Sequence, residues 1–90
     1  MDRIIITVVG MDQVGIIAKV CTYLYEHNIN ILDISQTITG GFFNMMVIAD
    51  MEGAVTDFGT AQDELKALGE TMGLRILTQR EEIFTRMHRI

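Results

Sequence analysis

Residues 8–20 read VVGMDQVGIIAKV, and the reading of this stretch decides the fold. A β-branched run closes on Gly10, a short loop leads to Gly15, and an apolar-periodic segment follows. Strand, loop and helix in succession outline a loop that receives a ligand at a helix N-terminus. Upstream, RIIITVV (3–9) lengthens the strand. Downstream, between Gln13 and His27, apolar residues fall at Ile16, Ile17, Val20, Cys21 and Leu24. That spacing predicts a helix with one broad apolar face. Asp12 is placed to cap it, its carboxylate accepting from the open amides of the first turn.

Further along, INILDISQTIT (29–39) predicts a second strand, Gly40-Gly41 a tight hairpin, and FFNMMVIA (42–49) the returning strand. After a loop from Asp50 to Val55, a second helix is expected to start near Thr56 or Asp57. Phe58, Ala61, Leu65, Leu68 and Met72 form its stripe, and Gly73 ends it. LRILTQ (74–79) predicts a fourth strand. The tail EEIFTRMHRI carries Ile83, Phe84, Met87 and Ile90 at helical spacing, with Arg86 and Arg89 near the end of that short helix.

The order β-α-β-β-α-β predicts an α+β, ferredoxin-like sandwich: a four-stranded antiparallel sheet with two helices on one face, plus a short C-terminal helix. Residues 1–79 form the domain and 80–90 its helical extension. Strands one and three lie at the centre of that topology, and both are apolar on both faces. Ile4, Ile6 and Val8 back onto Ile5 and Val9, and Phe42, Met46 and Ile48 onto Phe43, Met45 and Val47. Two helices cover one face only, so a second copy of the chain is expected on the other. Asp33, Ser35 and Thr37 form a polar row after Ile29 and Ile31, as suits an edge strand.

Composition narrows the function. Ninety residues with 49% hydrophobic and 21% charged side chains fit one globular domain. The formal net charge of −5, with no Lys/Arg cluster, argues against nucleic-acid binding. Phe42 and Phe43 are adjacent, so they point to opposite faces and do not form the stacking pair of an RNA-binding sheet. One cysteine, Cys21, makes no intrachain disulfide and no thiolate zinc site; on an apolar helix face it reads as a small buried hydrophobe. His27 and His88 have no companions at metal-ligand spacing, so no metal or cofactor is expected. Apolar runs are too short to span a membrane, and MDRIIITVVG opens into strand-like sequence without a cleavable signal. The expected location is the cytoplasm.

The loop itself departs from the nucleotide cradles. Gly10 and Gly15 have P-loop spacing, but Ile16-Ile17 stands where Lys and a hydroxyl residue belong. The three close glycines of a dinucleotide fold are missing as well. No catalytic set is visible, and the loop lacks the Arg of the acylphosphatases that share this topology. An Asp12 cap would place Gly15 at the third helical position, where a capping box has Glu or Gln. Gly15 leaves the amides approachable for a carboxylate, and Asp12 could pair an amino group; together they suit a zwitterionic α-amino acid. Equally, Gly15 could serve close packing of the helix on strand two. Asn28 reads as a left-handed helix cap. Asn30 could close the turn or bond an α-carboxylate or α-amino group.

Asp12-x-x-Gly15-Ile16, the amphipathic helix after it, and Asn28-Ile29-Asn30-Ile31 at the start of strand two resemble the ACT domain. ACT domains are ligand-sensing modules of amino-acid metabolism. The resemblance covers roughly residues 2–79, and is similar to the ACT segments of glycine cleavage repressor and formyltetrahydrofolate deformylase. Since nearly the whole chain is this module, it most resembles stand-alone single-ACT proteins of unassigned function. The resemblance implies a non-enzymatic homodimer that binds an amino-acid-like ligand and regulates a protein partner. The ligand would lie between Met11, Asp12, Gln13, Val14, Gly15 and Ile16 of one copy and Asn30 and Ile31, with Asn28 nearby, of its neighbour. The alternative is a ligand-free dimerisation or adaptor module.

Overall fold

The hairpin orders the sheet. Gly40 and Gly41 both have positive φ, 59° and 84°, the backbone of a two-residue turn whose twist suits the flanking strands. Thr39 therefore pairs with Phe42, and strands β2 (Asn30–Thr39) and β3 (Phe42–Asp50) run antiparallel from there. Strand β1 (Arg3–Met11) pairs with β3 on one side and with β4 (Arg75–Arg80) on the other, both antiparallel, giving the order β2-β3-β1-β4. Helices α1 (Ile16–Glu26) and α2 (Phe58–Thr71) connect the strands, and α3 (Glu81–Met87) ends the order. This computed structural model describes residues 1–87, with side chains through Thr85. The expected ferredoxin-like architecture is the one found. The side chains of Arg86 and Met87, and residues His88 to Ile90, lie outside the described residues.

One face of the sheet meets α1 and α2. Ile4, Ile6 and Val8 of β1, Phe43, Met45, Val47 and Ala49 of β3, and Ile76 of β4 are buried there. Against them pack Ile16, Val20 and Leu24 of α1, a strict every-fourth-residue stripe, with Ala61 and Leu65 of α2. The helix faces are narrower than the sequence suggests. Ile17 is exposed and Cys21 half-buried, so the α1 stripe is one residue wide. On α2 the third buried position is Gly69, not Leu68. A methyl group there would sit 2.7 Å from Ile76 Cγ1 and 3.0 Å from the Leu74 carbonyl oxygen, so absence of a side chain lets α2 lie close on β4. Helix α2 starts next to Asp57, as expected, and Asp57 caps it, accepting from the Thr60 amide at 2.7 Å.

The second face holds a different surprise. Ile5 points there, yet is only 5% exposed. Helix α3 packs on β1 and β4, with Glu81 paired to Arg3 at 3.4 Å on the same face, so the chain's own tail covers this end. Val9, Met11, Phe42 and Leu77 stay exposed toward the other end. In β2 the pairing slips between Ile31 and Asp33; Leu32 is the extra residue of a β-bulge, which reverses the alternation of faces. Ile29 and Ile31 thus face the helices, while Asp33, Ser35 and Thr37 face away, opposite Ile48, Met46 and Asn44. The polar row is on the other face from the isoleucines it was read as continuing.

Candidate ligand-binding site

The loop between β1 and α1 is held from three sides. Gly10 lies against the α2–β4 turn, where a methyl group would come within 2.5 Å of Leu74 Cδ2 and 3.3 Å of its Cα. The Asp12 amide donates to the Gly41 carbonyl at 2.9 Å, tying the loop to the hairpin. Gln13 Nε2 donates to the Met72 carbonyl at 2.8 Å, tying it to the end of α2. Gln13 is therefore a brace of the loop.

Helix α1 begins later than the pattern predicts, at Ile16, and its N-cap is Gly15 at φ 93°, with no side-chain cap. Asp12 does not cap the helix; the backbone turns away through Gln13 and Val14 first. Gly15 is not there for packing either, since a methyl group on it would meet nothing within 4 Å. Its left-handed backbone is what requires glycine. The consequence is chemical. No acidic side chain lies in the first turn, so the first amides of α1 and the positive end of its dipole are uncovered, with the exposed Asp12 beside them.

A cleft of about 230 Å³ opens at this point, bordered by Asp12, Gly15 and Ile17 on one wall and Gln36, Ile38 and Phe43 on the other. Of the residues the sequence singled out, Asp12, Gln13, Gly15 and Ile16 border it. Met11 pairs with Phe42 on the far face of the sheet, and Val14 is fully exposed. Asn30 and Ile31 pair with Asp50 and Ala49 at the opposite end of β2, about 27 Å from the loop at the usual strand rise. Within one chain the two halves of the expected site do not meet. Asn28 is structural, at φ 57° with Nδ2 donating to the Gly53 carbonyl at 2.9 Å. Gln36 and Ile38 escaped the sequence reading because the bulge at Leu32 decides which face they join.

A larger groove, about 630 Å³, runs between α1 and α2 along Thr22, Tyr23, Leu68 and Thr71. Tyr23, His27 and Glu64 hold one another there. Tyr23 donates to Glu64 at 2.7 Å, and the rings of Tyr23 and His27 stack at 4.0 Å. His27 Nδ1 lies 2.8 Å from the Tyr23 carbonyl. Burial, then the bond and charge of Glu64, push the Tyr23 hydroxyl well above its ordinary pKa. Among the described residues no group of His, Cys, Asp and Glu is placed to hold a metal ion, and no helix is long and apolar enough to cross a membrane.

Comparison with known proteins bears on this geometry directly. A family model described as the ACT domain matches residues 2–79. The chain belongs to the ACT domain family. A UPF0237 protein of Bifidobacterium longum is 62% identical over 90 residues, covering all of both chains. An ACT domain protein from Streptococcus pneumoniae superposes with a TM-score of 0.81 at 38% identity, covering 92% of this chain and 93% of that one. The same fold recurs as part of longer chains. A formyltetrahydrofolate deformylase from Pseudomonas syringae gives a TM-score of 0.82 at 22% identity, over 89% of this chain and 28% of that one. A protein described as a glycine cleavage system transcriptional repressor gives 0.77 at 24%, over 88% and 45%. The expected resemblances therefore hold. The chain is thus an ACT domain, a member of a family of regulatory, small-ligand-binding domains.

Proposed function

We propose that this ACT domain works in the cytoplasm as a homodimeric sensor, binding an amino-acid-like ligand at the cleft beside Gly15 and regulating a protein of amino-acid metabolism. The observation that carries this is the uncapped N-terminus of α1 next to the free carboxylate of Asp12. The first-turn amides suit an α-carboxylate, and Asp12 an α-ammonium group.

The second copy supplies what one chain lacks. Ligand pockets are usually above about 300 Å³, and the cleft holds 230 Å³. If β2 pairs antiparallel with β2 of a second copy about a two-fold axis at Ile34, Asn30 of that copy falls opposite Ile38, which borders the cleft. The Asn-Ile opening of β2 then completes the site across the interface. Ile34, Ile38 and Leu32, 37%, 57% and 38% exposed in the single chain, become buried in such a pairing. A ligand spanning both copies favours one arrangement of the dimer in proportion to its differential affinity, and a partner protein reads that arrangement.

The small size of the cleft also favours a second reading, a ligand-free dimerisation or adaptor module, with Ile38 and Ile16 simply closing the space. Titration of ¹⁵N-labelled protein with the common amino acids separates the two. Shifts concentrated at the amides of Ile16, Ile17 and Ala18, reduced in Asp12→Ala, support the sensor; uniform silence with a dimeric mass leaves the adaptor.

A further inference from the structure

An antiparallel four-stranded sheet has two edges, and each offers unpaired backbone groups to another strand. The two edges here are treated differently. On β4 the Thr78 carbonyl, near the middle of a six-residue strand, accepts from Gln62 Nε2 of α2 at 2.9 Å. That bond comes from outside the ladder, and it sets the Gln62 side chain against a carbonyl that an added strand would have to approach. At its far end β4 runs straight into α3, so the edge is also short. On β2, ten residues long, no side-chain hydrogen bond to the backbone is seen among the described residues, and the outer side carries half-exposed isoleucines.

We propose that Gln62 guards the β4 edge against strand addition, so that a second copy of this chain adds only at β2 and assembly closes at two. The logic is one of closure. A two-fold contact through β2 uses the same edge of both copies and stops there. With a second open edge, dimers would join through β4 into longer sheets. The guard deepens the dimer reading of the proposed function and rests on it for the identity of the free edge.

Sedimentation velocity across a concentration series tests this with wild type, Gln62→Ala and Gln62→Met, the second keeping side-chain length without a donor. Hydrogen exchange at the Thr78 amide is followed in parallel, because N–H and C=O of one residue in an antiparallel strand point the same way. The expected result is that both variants gain species of four copies and more as concentration rises, with at least tenfold slower exchange at Thr78, while wild type gains neither. Mass distributions identical to wild type overturn the proposal, and so do larger species without slowed exchange at Thr78. A monomeric wild type would count against the β2 dimer alone; the guard would still be read from what the variants gain.

Discussion

Gly15 shows how one residue can be singled out for one cause and carry another as well. Spacing alone offered ligand approach or close packing; the open space around it speaks against packing, and its φ of 93° adds a cause that spacing does not show: the backbone needs glycine in order to turn into α1 at all. Gly15→Ala is accordingly expected to cost about 1–2 kcal/mol through left-handed strain, seen as a lower Tm with the native fold retained. Gly69 is the converse, a glycine required by contact. Gly69→Ala meets Ile76 and the Leu74 carbonyl, and chemical denaturation should show a net loss of about 1–3 kcal/mol from overpacking. Thr78 is 1% exposed, with its hydroxyl lacking a hydrogen-bond partner among the described residues. Thr78→Val keeps the shape and removes the unpaired group, so it should raise stability by about 1 kcal/mol. Asp57 gives a pH signature. Hydrogen bonds from the Thr60 amide, then from its side chain, hold the Asp57 carboxyl below its ordinary 3.8. A lowered folded-state pKa means stability that is present above the unfolded value and lost as pH falls through the folded one. The Tm deficit of Asp57→Ala should therefore be full at neutral pH and shrink below about pH 4, the range where an unperturbed Asp titrates.

At the scale of elements, periodicity made the topology legible, because apolar residues recurring at two or near four report directly which backbone buries them. Element order, the start of α2 near Asp57 and the central place of β1 and β3 follow from it, and the hairpin from Gly40-Gly41. What stayed hidden were interruptions of period. The bulge at Leu32 has no composition of its own, yet it moves Asp33, Ser35 and Thr37 to one face and Gln36 and Ile38 to the cleft. The loop suffered likewise: Asp12 looks like a cap by residue type, but three further residues of non-helical backbone separate it from Ile16. Gln13, read as a ligand contact, also braces the loop, and nothing local announces Met72, 59 residues away, as its partner. The β2 edge carries the element-scale prediction. Ile34 is 37% exposed in the single chain, so Ile34→Asp should fold, and at a self-paired axis it places like charges together. Sedimentation equilibrium should show the dimer dissociation constant raised by at least about tenfold, or 1.4 kcal/mol.

Taken whole, the molecule has one sheet face buried by two helices and the other divided between α3 at one end and exposed Val9, Met11, Phe42 and Leu77 toward the loop. The loop sits where the hairpin, the end of α2 and the start of α1 converge, and the cleft beside it is bordered by the start of α1, β2 and β3. A ligand that binds only the folded protein adds roughly 2.7 kcal/mol at one hundred times its dissociation constant. In a domain of this size that raises Tm by on the order of ten degrees. The central measurement is thus a thermal-shift panel of the common amino acids on wild type and Asp12→Ala, a variant of an exposed side chain that leaves the Gly15 turn intact. A sensor predicts one such rise in wild type, largely lost in Asp12→Ala. No rise with any amino acid, or one equally large in Asp12→Ala, would contradict a binding site at the Asp12–Gly15 loop.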